Sequence, residues 1–116
     1  MADLTFTKNG FNIENINSVI DNFCTSNNIH SENSFKMQLI CEEFLSNILF
    51  PNFEGDVEFL INSKDSNTLM TFKYQGADFM NKINETTMLS LKILQNKAKE
   101  VNSSTENGIT KVEFLV

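Results

Sequence analysis

The sequence predicts an α/β fold of the α+β type, a two-layer sandwich in which three helices cover one face of a mostly antiparallel mixed sheet. Two patterns support this prediction. Apolar residues alternate with polar ones in five short segments, as in half-buried strands, and recur every three or four residues in three longer segments, as in amphipathic helices. The order along the chain is β-α-α-β-β-α-β-β, in a single domain that spans residues 1–116.

The first predicted strand is short and leads directly into the first helix. Leu4 and Phe6 alternate with threonines, and Asn9-Gly10 forms the turn after them. Asn12 is of the residue type that caps helix N-termini. The apolar stripe of the helix that follows consists of Ile13, Ile16, Ile20 and Phe23.

The second predicted helix begins near Ser31 or Ser34. Pro51 ends it, because proline lacks an N–H group and restrains the residue before it. Glu43 and Asn47 are four residues apart, so their side chains share one helix face. The apolar face of this helix consists of Met37, Ile40, Cys41, Phe44, Leu45 and Ile48.

Two β-hairpins are predicted in the second half of the chain. The first has its turn at 64–67, between segments in which apolar residues alternate. The second joins strands at 101–105 and 109–116 across Asn107-Gly108, a strong hairpin turn signal. Together with the N-terminal strand, the hairpins supply the five strands of the sheet.

A third helix is predicted between the hairpins, from about Thr87 to Glu100, after a polar loop at 81–86. Its apolar residues recur at helical spacing, which predicts one face packed against the sheet. The stripe consists of Met88, Leu91, Leu94, Ala98 and Val101.

Composition and charge argue against several classes of function. The 116 residues carry a formal net charge of −6, and all nine basic residues are lysines. This balance opposes a nucleic-acid partner, and without arginine the chain lacks the bidentate fork that binds phosphate. No stretch approaches the roughly 18 apolar residues of a membrane span, and the N-terminus has no basic, apolar signal sequence. We therefore expect a cytoplasmic protein with no membrane and no nucleic acid as partner.

The cysteines and the histidine form no catalytic or metal-binding motif. Cys24 and Cys41 lie in separate helical segments, and two thiols cannot complete a four-thiolate zinc site. We expect both to be buried free thiols in a reducing cytosol. His30 falls in a polar turn, which predicts a surface position.

The helix that carries Glu43 and Asn47 provides the first match to a known family. Its pattern Glu-x-x-x-Asn, the aromatic Phe53 and the order of elements resemble the histidine-kinase-like (GHKL) ATPases, and among them the small bacterial anti-sigma-factor serine kinases. The resemblance covers nearly the whole chain. It implies that Glu43 acts near the attacking hydroxyl or water and that the side-chain oxygen of Asn47 holds Mg²⁺. So short a pattern also occurs on solvated polar helix faces, and that alternative stays open.

A second match follows the third strand. The family ends this strand with Asp-x-Gly-x-x-Phe, in which the aspartate reads the adenine amino group and the glycine lets the backbone approach the ring. Gly76 and Phe79 fit the pattern, so the resemblance implies that they bind the nucleotide. Tyr74 stands where the family has aspartate, and Asp78 is out of register. A tyrosine there would fill the adenine position rather than read the base.

Three further features of the family are missing. Met88 and Ser90 stand where the family has the glycines of its phosphate-binding turn, and Phe50-Pro51 replace a basic residue or histidine. The lid is shortened to residues 80–87. Lys92 is either a phosphate contact or a solvated lysine. Together these losses remove several charge-assisted contacts, each worth roughly 1.5–3 kcal/mol, so we expect ATP binding to be weakened or lost.

Three functions follow as alternatives. The first is a regulatory protein of the anti-sigma-factor, partner-switching type that acts by protein binding, with no cofactor expected. The resemblance implies a sigma factor or a STAS-domain antagonist as its partner; a homodimer stays open, and helix one or the first strand is the expected surface. The second is an atypical ATP-dependent serine kinase that uses Glu43, Asn47 and Mg²⁺. The third is a small soluble domain whose resemblance to the family is accidental.

Overall fold

The structure, a computed structural model, describes residues 2–116. It contains the predicted elements in the predicted order. They are β1 (Ala2–Thr7), α1 (Ile13–Ser26), α2 (Ser31–Glu42), a π-helical segment (Glu43–Leu49), β2 (Asp56–Lys64), β3 (Asn67–Gln75), a 3₁₀ turn (Phe79–Lys82), α3 (Glu85–Lys97), β4 (Glu100–Glu106) and β5 (Ile109–Leu115). The prediction of an α+β sandwich is therefore confirmed.

The five strands of residues 2–116 form one sheet in the order β1-β2-β3-β5-β4. All four pairings are antiparallel, so the sheet is not mixed. In the centre, Phe59 on β2 lies opposite Phe72 on β3, and Phe72 lies opposite Val112 on β5. Because side chains alternate across a strand, these three residues point to the same face.

The core lies between that face of the sheet and the helices. The inward residues of β2, β3 and β5 are almost fully buried, whereas Glu58, Lys73 and Lys111 on the opposite face are at least partly exposed. The helices contribute their apolar faces to the same cluster. Fully buried large side chains of the helical layer are Ile16, Ile20, Met37, Ile40, Phe44, Leu45, Ile48, Leu49, Phe79 and Leu94.

Side-chain caps define where each α-helix begins. Asn12 caps α1 by accepting a hydrogen bond of 2.9 Å from the Glu14 amide, as its residue type predicts. His30 is exposed and caps α2, since its Nδ1 accepts from the Glu32 amide at 3.2 Å. The predicted surface position of His30 is thus confirmed, and its ring has a structural contact there.

Two details of the third helix differ from the prediction. It begins at Glu85 rather than Thr87, because Asn84 and Thr87 form a capping box that starts the helix two residues earlier. It ends at Lys97 rather than Glu100, because residues from Glu100 onward pair with β5. Met88, assigned to the buried stripe, is 42% exposed. Leu91 and Leu94 of the same stripe are buried, as predicted.

Candidate functional site

The second predicted helix changes its winding where the first motif lies. The α-helical hydrogen bonding of α2 ends at Glu42, and Glu43–Leu49 continues as a π-helix. The Phe50 amide accordingly donates to the Leu45 carbonyl, five residues back, at 2.9 Å. Such widened turns are rare and are often found at functional sites. The segment ends at Leu49, with Phe50 as its C-cap, and Pro51 follows, as predicted.

Glu43 and Asn47 lie on the outward side of the π-helical segment. Glu43 is half-buried and Asn47 is exposed, whereas the intervening Phe44 and Leu45 are fully buried. Within residues 2–116 neither polar side chain takes part in a hydrogen bond or an ion pair that would hold it. Both groups are therefore accessible from solvent, as a catalytic pair or a solvated polar face would be.

Phe79 lies in the core rather than at the surface. It is 1% exposed, and its ring centroid is 5.3 Å from that of Phe44, in an edge-to-face arrangement. Phe44 also packs on Phe72 at 5.1 Å and on Phe114 at 5.3 Å. Phe79 thus joins the 3₁₀ turn to the centre of the sandwich, and a planar ligand would have to displace a core side chain to stack on it.

Gly76 makes its close approach to a side chain of the protein itself. Its φ is +147°, and a Cβ placed on it would lie 2.9 Å from two ring carbons of Phe53. The Phe53 ring also packs against Tyr74, with centroids 4.7 Å apart. The absence of a side chain at Gly76 therefore makes room for Phe53.

The backbone around Gly76 is tied to the second hairpin. The Gly76 amide donates to the Gly108 carbonyl at 2.9 Å, and the Gly76 carbonyl accepts from Thr110 Oγ1 at 2.7 Å. Asp78 accepts from Ser103 Oγ at 2.7 Å and caps the 3₁₀ turn through the Met80 amide at 3.0 Å. Asp78, which the motif left out of register, has its oxygens occupied by these structural bonds.

Tyr74 is held as a neutral, buried phenol. It is 3% exposed, and its hydroxyl donates to the Ala77 carbonyl at 2.8 Å. Burial, with a smaller contribution from the Asp78 carboxylate, raises the pKa of Tyr74 to about 12. The side chain that replaces the aspartate of the family therefore has an internal hydrogen-bond partner.

We expect this raised pKa to appear as a loss of stability at alkaline pH. An unfolded tyrosine ionises near pH 10, so between about pH 10 and 12 the unfolded state alone becomes charged, and folding weakens as the pH rises through this window. Tyr74 is the only tyrosine and the chain has no tryptophan, so the near-ultraviolet absorbance of the phenolate reports this residue alone.

Tyr74→Phe is the matched control, since it removes the ionisable group and one hydrogen bond worth about 1 kcal/mol. Its stability should fall less than that of the wild type between the two pH values, although lysines and cysteines titrate in both proteins. A phenolate midpoint near the ordinary value in the folded protein would show that the hydroxyl is not buried as described.

In the resembled family the phosphates lie at the start of the third helix, and here a side-chain cap uses part of that helix start. Asn84 Oδ1 accepts from the Thr87 amide at 3.1 Å, so one free amide of the α3 N-terminus is already used. Ser90 is buried, and Lys92 is exposed on the outer side of the helix. The two positions that lack the glycines of the family, Met88 and Ser90, lie within α3 and not in a turn.

The surface cavities, the two thiols and the potential metal ligands of residues 2–116 add no second candidate site for nucleotide or metal binding. Five surface cavities of about 190 to 550 Å³ take their walls from residues other than Glu43, Asn47, Gly76 and Phe79. Cys24 and Cys41 are buried free thiols, as predicted, and burial raises the pKa of both. Across residues 2–116 there is no cluster of three potential metal ligands of the histidine, cysteine or acidic type.

The fold and these contacts define a five-stranded antiparallel α+β sandwich in which Tyr74 and Phe79 are buried, whereas Glu43 and Asn47 are accessible from solvent. Five chains of solved structures match it. One is from the SiaB-SiaC complex from Pseudomonas aeruginosa, with a TM-score of 0.68, 12% identity, and coverage of 97% of this chain and 88% of that chain. At this identity the likeness shows the fold alone. No protein-family model and no curated protein matches the sequence.

The sequence did not predict which apolar residues remain exposed. Four of the six large exposed apolar side chains of residues 2–116 lie between positions 80 and 93: Met80, Met88, Leu89 and Ile93. The sequence did contain a signal for this exposure, because the apolar residues of α3 are distributed around the helix and not confined to one stripe. None of the described α-helices meets the length and apolarity needed to cross a bilayer.

Proposed function

We propose that this chain is a regulatory protein that acts by binding another protein and that its nucleotide binding is weakened or lost. The observation that carries the proposal is the Phe53 ring, which lies against Gly76 and Tyr74. In the resembled family an adenine ring approaches this glycine. Here a Cβ at Gly76 would already meet Phe53 at 2.9 Å, so a base at the same place would have to move that ring.

The remaining contacts of the motif residues also fit a nucleotide poorly. In place of the carboxylate that reads the adenine amino group in the resembled family, Tyr74 presents a buried phenol whose hydroxyl proton is donated to the Ala77 carbonyl. Phe79 is part of the core, and an Asn84 cap occupies the start of α3. A nucleotide would therefore lack its base reader and meet a capped helix start. We assign no catalytic step to ATP or Mg²⁺ in this proposal.

Protein binding is favoured by the surface that the fold leaves open. Exposed apolar side chains are concentrated in one segment, and such patches commonly mark interaction sites. The structural neighbour belongs to a complex of two proteins, which adds support for a protein partner. By the family resemblance that partner is a sigma factor or a STAS-domain protein, and the chain works in the cytoplasm.

The kinase alternative has one observation in its favour. Glu43 and Asn47 are accessible side chains on a π-helical segment, a geometry frequent at functional sites. In this alternative Asn47 holds Mg²⁺ and Glu43 acts at the attacking serine hydroxyl of another protein. Alanine substitution of Glu43 and Asn47 distinguishes this kinase activity from the proposed protein binding.

We expect Glu43→Ala and Asn47→Ala to leave partner binding unchanged within about twofold, because in this proposal the partner is bound by the exposed apolar side chains between positions 80 and 93 and not by this pair. The tagged chain is purified from its source cells, bound proteins are identified, and binding is repeated with the purified partner, with and without Mg-ATP. If binding requires Mg-ATP, or if Asn47→Ala abolishes it, the proposal is wrong and the kinase alternative gains support. If no protein binds, the proposed function fails outright.

A further inference from the structure

The outer side of α3 is unusual for a helix at the surface of a sandwich. Leu89 is 67% exposed and Ile93, one turn later, is 36% exposed. Met88, 42% exposed, lies one turn before Lys92. Residues three and four apart are neighbours on a helix, so these four side chains form one continuous surface. We call it the α3 surface. Met80 and Lys82 are exposed on the 3₁₀ turn that precedes α3 in the chain.

The charge of this segment is opposite to that of the rest of the protein. Residues 80–99 contain four lysines and one glutamate, a net charge of +3. The other residues contain five lysines and fourteen acidic residues, a net charge of −9. The two ion pairs within residues 2–116 join Lys73 to Glu58 and Lys111 to Glu113, so neither uses a lysine of the segment. The segment therefore combines exposed apolar side chains with unneutralised positive charge.

We infer that the α3 surface is a docking site for an acidic amphipathic helix of a partner protein. An apolar face of such a helix would cover Leu89 and Ile93, which now face water, and its carboxylates would meet Lys92. Complementary charge of this kind raises association rates and excludes partners of the wrong sign. The inference rests on the proposed function and adds to it the surface and the chemistry of the partner.

The charge distribution favours a partner helix over two other occupants of the α3 surface, an anionic membrane and a second copy of this chain. An anionic membrane would face the molecule broadly, and the net charge of −9 outside the segment opposes that contact. Two copies joined through the same surface would bring two positively charged segments together. A partner helix contacts only the local surface. The acidic residues elsewhere on the protein oppose its approach little, because charges more than about 8 Å away are largely screened at physiological ionic strength.

The test uses the full chain and a fluorescent designed peptide of about 18 residues, with leucine at helical spacing and glutamate elsewhere. The control peptide has lysine in place of glutamate. We expect the acidic peptide to bind and the basic control peptide not to bind. Added salt should weaken the binding of the acidic peptide. The double substitution Leu89→Gln with Ile93→Gln, and separately Lys92→Glu, should each weaken it about tenfold or more. Phe35→Gln, at a site 62% exposed on α2, is the matched control and should have no effect.

Several outcomes would overturn the inference. They are absence of binding by the acidic peptide, equal binding of the basic peptide, and equal weakening by Phe35→Gln. Binding to phosphatidylglycerol vesicles that the α3 substitutions abolish would assign the surface to a membrane. Sedimentation of the wild type as a dimer that the same substitutions dissociate would assign it to a second copy. If the natural partner still binds the α3 variants, the inference fails and the proposed function stands.

Discussion

Phe44→Ala should lower the free energy of unfolding by about 3–5 kcal/mol, a loss that is typical of deleting a fully buried phenylalanine. Phe44 is 0% exposed, and its ring contacts those of Phe72, Phe79 and Phe114 at centroid distances of 5.1 to 5.3 Å. From the π-helical segment its ring therefore contacts β3, β5 and the 3₁₀ turn. Its removal leaves a cavity bordered by three other rings.

Urea denaturation of the wild type and the variant measures this loss, which is a large share of the roughly 5–15 kcal/mol available to a small domain. Phe44→Leu keeps most of the volume and should lose less. Phe35→Ala removes an exposed ring from α2 and should change stability by no more than about 0.5 kcal/mol. A loss below about 1 kcal/mol for Phe44→Ala would contradict the central position of this ring.

Gly76→Ala should destabilise the protein by about 2–4 kcal/mol, for two separate reasons. Its φ of +147° is one that L residues rarely adopt, and its new Cβ would lie 2.9 Å from the Phe53 ring. Gly108→Ala is the matched control, since Gly108 has a φ of +78° but nothing within 4 Å of the added Cβ. The difference between the two variants combines the contact with Phe53 and the greater backbone strain at the φ of Gly76.

A double-mutant cycle tests that contact directly. In a Phe53→Ala background the added methyl group no longer meets a ring, so Gly76→Ala should lose only the backbone contribution, about 1–2 kcal/mol. Equal losses in both backgrounds, or equal losses at Gly76 and Gly108, would show that Phe53 does not occupy the space beside the glycine. The main support for the proposed loss of nucleotide binding would then be gone.

The fold was largely predictable because its local signals agree. Alternation in β2, β3 and β5, the Asn12 cap and the Asn107-Gly108 turn all identified their elements. The boundaries of α3 were not predictable in the same way. Asparagine and threonine, which form its capping box at positions 84 and 87, are also common in loops. The π-helical winding of Glu43–Leu49 was also missed, since buried residues at 44, 45, 48 and 49 suit an α-helix equally well.

The candidate site was less predictable than the fold, for a physical reason. A motif gives residue types at a spacing, but the space beside Gly76 is filled by Phe53, more than twenty residues away in the sequence. The exposure of Leu89 and Ile93 likewise depends on which side of α3 meets the core. The expectation that helix one or the first strand carries the interaction surface stays untested, while the exposed apolar residues concentrate near α3.

The proposed loss of nucleotide binding is tested most directly by calorimetric titration of the purified chain with Mg-ATP. We predict no binding heat and no change in melting temperature at millimolar nucleotide, in the wild type and in Asn47→Ala alike. A Phe53→Ala variant in the same titration shows whether the ring alone excludes the base. Micromolar binding by the wild type that Asn47→Ala abolishes would contradict the proposal and establish a working nucleotide site.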